Sequence, residues 1–198
     1  MRKFNSVAVF CGASQVVEQH FLDESYKLGQ ILASIDTTVV YGGACTGCMG
    51  AVADGALACD GKVIGVFPSE ILKETERMHT GITELILTKD MFERKTIMFE
   101  RSEAFVITPG GLGTMDEVFE IITLKCLGEN NKPILFYNYQ NYFAPMQSLI
   151  EHFVTHRFAS PKVLESYRFL NTMEELMQEL YSADVEGLKQ TFKTLAIS

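Results

Sequence analysis

Two short runs hold the residues whose types and spacing could do chemistry. Pro109-Gly110-Gly111-Leu112-Gly113-Thr114 sets three glycines ahead of a helical pattern. Gly110, Gly111 and Gly113 carry no Cβ, so their backbone can take positive φ and come close to a ligand. A helix opened by Thr114 would add free N–H groups and a dipole that favour an anion. Together these features make a phosphate cradle. No Lys-Ser/Thr pair follows the glycines, so this is not a Walker A loop, and the Gly-x-Gly-x-x-Gly spacing of dinucleotide sites is absent. The turn suits a monophosphate. Spacing alone leaves open a strand-to-helix turn whose glycines serve only geometry.

Glu117 follows Thr114 by three residues. Thr-x-x-Glu is a capping box, in which the Glu side chain serves the helix start. Alternatively the carboxylate stands beside the anion cradle, where it could activate water or stabilise positive charge on a sugar. The second run is Met91-Phe-Glu-Arg94-Lys95-Thr-Ile-Met98. Charges on a helix usually form a solvated face. Against that, the helix leads into the strand before the phosphate turn, and Arg suits phosphate or carboxylate.

Other chemistries find less support. Cys45-x-x-Cys48 has neither a second Cys pair nor clustered His, so no metal site is expected. A helix start could lower the pKa of Cys48, although packing is the preferred role. His152 and His156 lie one turn apart and read as a helix face. No serine occupies a Gly-x-Ser-x-Gly elbow.

The elements that must position these residues follow an alternating pattern. Strands are expected at Ser6–Phe10, Thr38–Tyr41, Lys62–Phe67, Leu85–Thr88, Ala104–Thr108, Pro133–Tyr137 and, more weakly, Arg168–Leu170. Helical periodicity runs through Phe21–Ser34, Gly50–Cys59, Met91–Ser102, Thr114–Leu127, Tyr142–His156 and Thr172–Ser182, the last with a Thr172…Glu175 capping box. Near-continuous apolar strands alternating with helices imply a doubly wound, Rossmann-like α/β domain whose mostly parallel sheet is flanked by helices. Three strands run into glycine-bearing turns: Cys11-Gly12-Ala13-Ser14, Gly42-Gly43-Ala44-Cys45-Thr46-Gly47 and Pro109–Thr114. In such sheets ligands bind beyond the carboxyl ends of the strands, where these turns would lie.

At 198 residues without linker, repeat or low-complexity stretch, the whole chain reads as one domain, residues 1–198. A net charge of −8 argues against a nucleic-acid partner, because phosphate-backbone binding rests on clustered Lys and Arg. No apolar run approaches the ~20 residues that span a bilayer, and Val7–Phe10 is too short for a signal-peptide core. The five cysteines are odd in number and sit mostly in apolar or glycine-rich segments, the pattern of reduced thiols in a cytoplasmic protein.

Pro109–Glu117 and Met91-x-x-Arg94-Lys95-x-x-Met98 resemble the paired signatures of the LOG family, the cytokinin riboside 5′-monophosphate phosphoribohydrolases long labelled lysine decarboxylases. Val9–Ser14, Tyr41-Gly42-Gly43 and Gly47-x-Met49-Gly50 are similar to its first two turns. The likeness runs in order from about Val7 to Pro133. It implies hydrolysis of the N-glycosidic bond of AMP or an N6-substituted AMP, with no cofactor. By position, Arg94 and Glu117 become the catalytic pair, and Gly110, Gly111, Leu112, Gly113 and Thr114 hold the phosphate. Lys95, Glu76 and Thr123 become nucleotide contacts, joined by Gly12, Ser14, Gly43 and Met49 from the first two turns. A homodimer is also implied. Ala44-Cys45-Thr46, Cys48 and Asp116 depart from the family's usual residues and leave the base preference open. A non-catalytic nucleotide or molybdenum-cofactor carrier is the alternative on the same fold. A lysine decarboxylase would need a Schiff-base lysine in a cofactor pocket, and no lysine here has that context.

Overall fold

Val7 and Val9 leave the first strand on one face, Ala8 and Phe10 on the other, and each pair enters a separate buried cluster. That period-2 alternation, repeated along the later strands, makes a sheet with two covered faces. The computed structural model describes residues 4–69 and 78–181. Seven strands, β1 (Ser6–Phe10), β2 (Thr38–Tyr41), β3 (Val63–Pro68), β4 (Glu84–Thr88), β5 (Ala104–Ile107), β6 (Ile134–Tyr137) and β7 (Arg168–Leu170), form one sheet in the order β4-β3-β2-β1-β5-β6-β7. Every neighbouring pair is parallel. All seven strand segments read from the sequence are present, with ends shifted by at most one residue.

Helices α1 (Gln19–Ser34), α2 (Gly47–Leu57) and α6 (Met173–Leu180) cover one face. On the other lie α3 (Met91–Glu100), α4 (Leu112–Cys126) and α5 (Ala144–Thr155). The expected capping box at α6 forms: Thr172 Oγ1 accepts from Glu175 N–H and the Glu175 carboxylate accepts from Thr172 N–H. Between α1 and α2 the backbones meet without intervening side chains. A Cβ on Gly29 would fall 2.1 Å from the Val52 carbonyl oxygen, so only glycine permits that approach. Among the described residues no helix is long and apolar enough to cross a membrane.

The strand order decides where a ligand can sit. From β1 the chain winds outward through β2 and β3 to β4, then returns to place β5 on the other side of β1. The loops leaving β1 and β5 therefore diverge and open a crevice at this switch point. Both loops carry glycine turns.

Candidate active site

Phe10 and Ile107 end β1 and β5 side by side, and the loops that follow are tied together. Gly12 N–H donates to the Pro109 carbonyl at 3.1 Å, and the Gly12 carbonyl accepts from Met49 N–H at 3.1 Å. Thr46 Oγ1 adds a bond to the Ala13 carbonyl at 2.9 Å. Three loops thus become one rigid edge. Above it lies a cleft of about 420 Å³, walled by Gly12 and Ser14 on one side and by Gly111, Gly113 and Thr114 on the other, with Met49, Met91, Arg94 and Glu117 completing it.

The phosphate turn departs from the sequence expectation in one informative way. Helix α4 begins at Leu112, with Gly111 as its N-cap and no side-chain cap bond. Met115 N–H already donates to the Gly111 carbonyl at 3.0 Å. Thr114 is therefore the third helical residue rather than the cap, and Glu117 lies beyond the first turn. The capping-box role for Glu117 is excluded by this start. The first-turn N–H groups of Leu112, Gly113 and Thr114 have no intrahelical acceptor, and Gly113 and Thr114 line the cleft, an arrangement that suits an anion.

Glu117 is 3% exposed, and so is Arg94. Neither belongs to a solvated face. Arg94 Nη1 donates to Glu117 Oε1 at 3.3 Å, Nε to the Val66 carbonyl at 3.0 Å, and Nη2 to the Gly42 carbonyl at 3.1 Å. Those carbonyls lie in β3 and just past β2, so the guanidinium is clamped to the sheet's carboxyl edge. A buried charge is tolerated only when paired and hydrogen-bonded, and Arg94 meets both conditions. Helix α3 holds it there. Asp90 caps the helix by accepting from Glu93 N–H at 2.8 Å, and the Glu93 carboxylate accepts from Lys89 N–H at 2.8 Å.

Burial pushes the Cys11 thiol well above its ordinary value, with Cys48 and Glu117 adding to the effect and Arg94 opposing it. That shift disfavours the thiolate, the form in which the Cys11 sulfur beside the cleft would act as a nucleophile. The Cys48 thiol is also raised by burial, so the start of α2 does not activate it. Among the described residues no three His, Cys, Asp or Glu side chains converge as a metal site would require.

Not every candidate residue reaches the cleft. Gly43 sits behind it at φ +79°, its carbonyl accepting from His79 N–H at 2.8 Å. Leu112 points into solvent, 91% exposed. Gly110 borders the outer side of the turn. Lys95 lies in a second slot of about 250 Å³ between α3 and α4, which Glu117 also borders, and it is paired with Glu120 at 2.7 Å and Asp116 at 3.1 Å. Burial opposes the charge on Lys95, but Glu120 and Asp116 outweigh it and hold the ammonium above its ordinary value. Thr123 Oγ1 donates to the Phe119 carbonyl on a different groove of α4. Glu76 lies outside the described residues. Met91, Cys11 and the Val66 and Gly42 carbonyls were not singled out as site groups. Met91 had a signal, since it stands one helical turn before Arg94.

A family model described as "possible lysine decarboxylase" matches residues 49–180. The cytokinin riboside 5′-monophosphate phosphoribohydrolase of Rhodococcoides fascians is 40% identical over 156 residues, 79% of each chain. That of Mycobacterium tuberculosis is 34% identical over 173 residues, covering 87% of this chain and 91% of the relative. The chain belongs to the LOG family. Among solved structures, the molybdenum cofactor binding protein of Rippkaea orientalis superposes with a TM-score of 0.67 at 22% identity, covering 88% of this chain and 93% of that one. The molybdenum cofactor carrier protein of Chlamydomonas reinhardtii gives 0.60 at 20% identity and 98% coverage of both. At such identities the likeness is one of fold. This LOG-family chain thus carries its two signatures, Met91–Met98 and Pro109–Glu117, on α3 and on the β5–α4 turn, facing one cleft.

Proposed function

We propose that this protein is a nucleoside 5′-monophosphate phosphoribohydrolase. It cleaves the N-glycosidic bond of AMP or an N6-substituted AMP to give the free base and ribose 5-phosphate. One observation carries the reading: a buried, carbonyl-clamped Arg94–Glu117 pair opens onto the same cleft as the N-terminus of α4. The 5′-phosphate is held by the first-turn N–H groups beside Gly111, Gly113 and Thr114, with Gly12, Ser14 and Met49 opposite. This places the ribose over Glu117. As the bond from C1′ to the base lengthens, the sugar gains oxocarbenium character, which the carboxylate stabilises. Water then adds to C1′, one of its protons passing to Glu117; the departing base takes up a proton from solvent, and Glu117 returns its own to solvent, so one water molecule supplies the sugar hydroxyl and the hydrogen on the base. Arg94 already places three of its five N–H donors on Glu117 and two carbonyls before substrate arrives, so its part is to hold the Glu117 carboxylate in position.

The names of the curated relatives support the same reaction. The carrier alternative rests on fold similarity alone. The decarboxylase label fits poorly: Lys95 is held above its ordinary value by Glu120 and Asp116, and Lys125 and Lys132, which burial shifts downward, donate to the Lys132 and Phe99 carbonyls and do not line the cleft. We take residues 1–198 as one nucleotide-binding domain and the protein as a cytoplasmic homodimer, its thiols reduced. The apolar grooves along α4 and the exposed Leu112 and Leu127 support self-association. Purified protein incubated with AMP and with isopentenyl-AMP should release base and ribose 5-phosphate, resolved by chromatography. Absence of base from a panel of nucleoside monophosphates would overturn the reading.

A further inference from the structure

The outer side of the phosphate turn is braced by Tyr142, which lies 32 residues away in sequence and in no recognised motif. Its hydroxyl donates to the Gly110 carbonyl at 2.9 Å. That carbonyl borders a groove shared with Met115, Tyr142, Met146 and Leu149, whereas Gly111, Gly113 and Thr114 line the cleft. None of the described peptide bonds is cis. In a planar trans peptide the C=O of one residue and the N–H of the next point in opposite directions. With the Gly110 carbonyl turned outward to Tyr142, the Gly111 N–H is turned toward the cleft.

A peptide between two glycines has little steric resistance to flipping. Flipped, it would aim a carbonyl oxygen at the bound phosphate and withdraw a donor, reversing attraction into repulsion. Tyr142 is well placed to prevent this. Its ring meets Phe21 edge-on at 5.7 Å and Phe143 at 5.2 Å. The turn that delivers it is pinned by the Asn138 side chain, which accepts from Phe143 N–H at 3.0 Å.

We propose that Tyr142 is a positioning residue that sets phosphate affinity by locking the Gly110–Gly111 peptide with its N–H toward the cleft. The identity of the ligand rests on the phosphoribohydrolase reading; the brace itself does not depend on turnover. Tyr142→Phe removes only the hydroxyl and keeps both ring contacts, so the fold survives. Calorimetric titration should show AMP and inorganic phosphate binding about 3- to 10-fold more weakly to the variant, the loss of one well-aimed N–H to a phosphate oxygen. Adenosine, which has no phosphate, should bind within twofold of wild type. The amide resonance of Gly111 should shift with added phosphate in wild type and markedly less in the variant. In turnover the loss should fall on KM rather than kcat. Equal AMP affinity in both proteins would overturn the proposal, as would parallel weakening of AMP and adenosine. If wild type binds AMP but releases no base, the enzymatic reading fails while the affinity comparison still decides the brace. If wild type binds neither AMP nor phosphate, the cradle and its brace fall together.

Discussion

Glu117→Gln separates the chemistry of the Arg94–Glu117 pair from its structural part. Gln is nearly the same shape, and its amide oxygen can still accept from Arg94 Nη1, a contact that is already long at 3.3 Å. Arg94 also keeps the Val66 and Gly42 carbonyls at 3.0 and 3.1 Å. The stability cost is therefore well below the ~3–5 kcal/mol of leaving a buried charge without a partner. About 1–2 kcal/mol remains, the difference between a charge-assisted and a neutral bond. For a domain of this size that lowers Tm by roughly 2–8 °C. The transition state feels the full loss of a carboxylate next to a developing cation. Acid–base and electrostatic contributions of this kind are worth ~10²–10⁴-fold, about 3–5 kcal/mol of barrier. Base release from AMP should thus fall at least a hundredfold at 25 °C, well below Tm, with AMP affinity changed little. A variant within tenfold of wild-type kcat would refute the catalytic role of Glu117. A collapse of Tm by tens of degrees would show that the pair is structural first.

Four further outcomes follow from the same geometry. Gly110→Ala would drive a Cβ to 2.1 Å from Thr114 Oγ1, so the turn must shift; AMP affinity should fall at least ~10-fold by titration. In a double-mutant cycle, Arg94→Met with Glu117→Leu should be more stable than either single change, with a coupling of ~2 kcal/mol or more by urea unfolding. Asp90→Ala removes the cap of α3 and should cost about 1 kcal/mol, with a small fall in kcat as Arg94 loosens. An aromatic disulfide reagent at pH 8 should label exposed Cys45 and Cys126 rapidly. Cys11 and Cys48 should react only on unfolding, because burial shields them and raises both thiols.

The fold was legible because its signals are local. Strands such as Ala104–Ile107 are buried on both faces and read as apolar runs, and each is followed by a helical period. Helix starts were less legible. The helical patterns Gly50–Cys59 and Thr114–Leu127 start two or three residues after the helices themselves, because a glycine stands in the first turn of each and propensity counts glycine against a helix. That small error had a large consequence, since it alone made Thr114…Glu117 resemble a capping box. Lys95 lines a slot that Glu117 also borders but Arg94 does not, and Thr123 faces another groove of α4, differences of helical phase that spacing does not resolve without the opposing surface.

Arg94 shows why a buried charge is hard to read from a chain. In sequence it stands in the run Glu93-Arg94-Lys95, the pattern of a solvated face. What buries it is the return of the chain at the switch point, which brings α3 against the carboxyl ends of β2 and β3 and lays α4 across β1. Two strand-end carbonyls and one carboxylate then offset a desolvation cost that no residue near Arg94 in sequence could meet. The same arrangement fixes the carboxylate before any nucleotide enters, so little reorganisation is left for the reaction itself. The position of Arg94 is therefore a property of strand order, and its chemistry follows from that position.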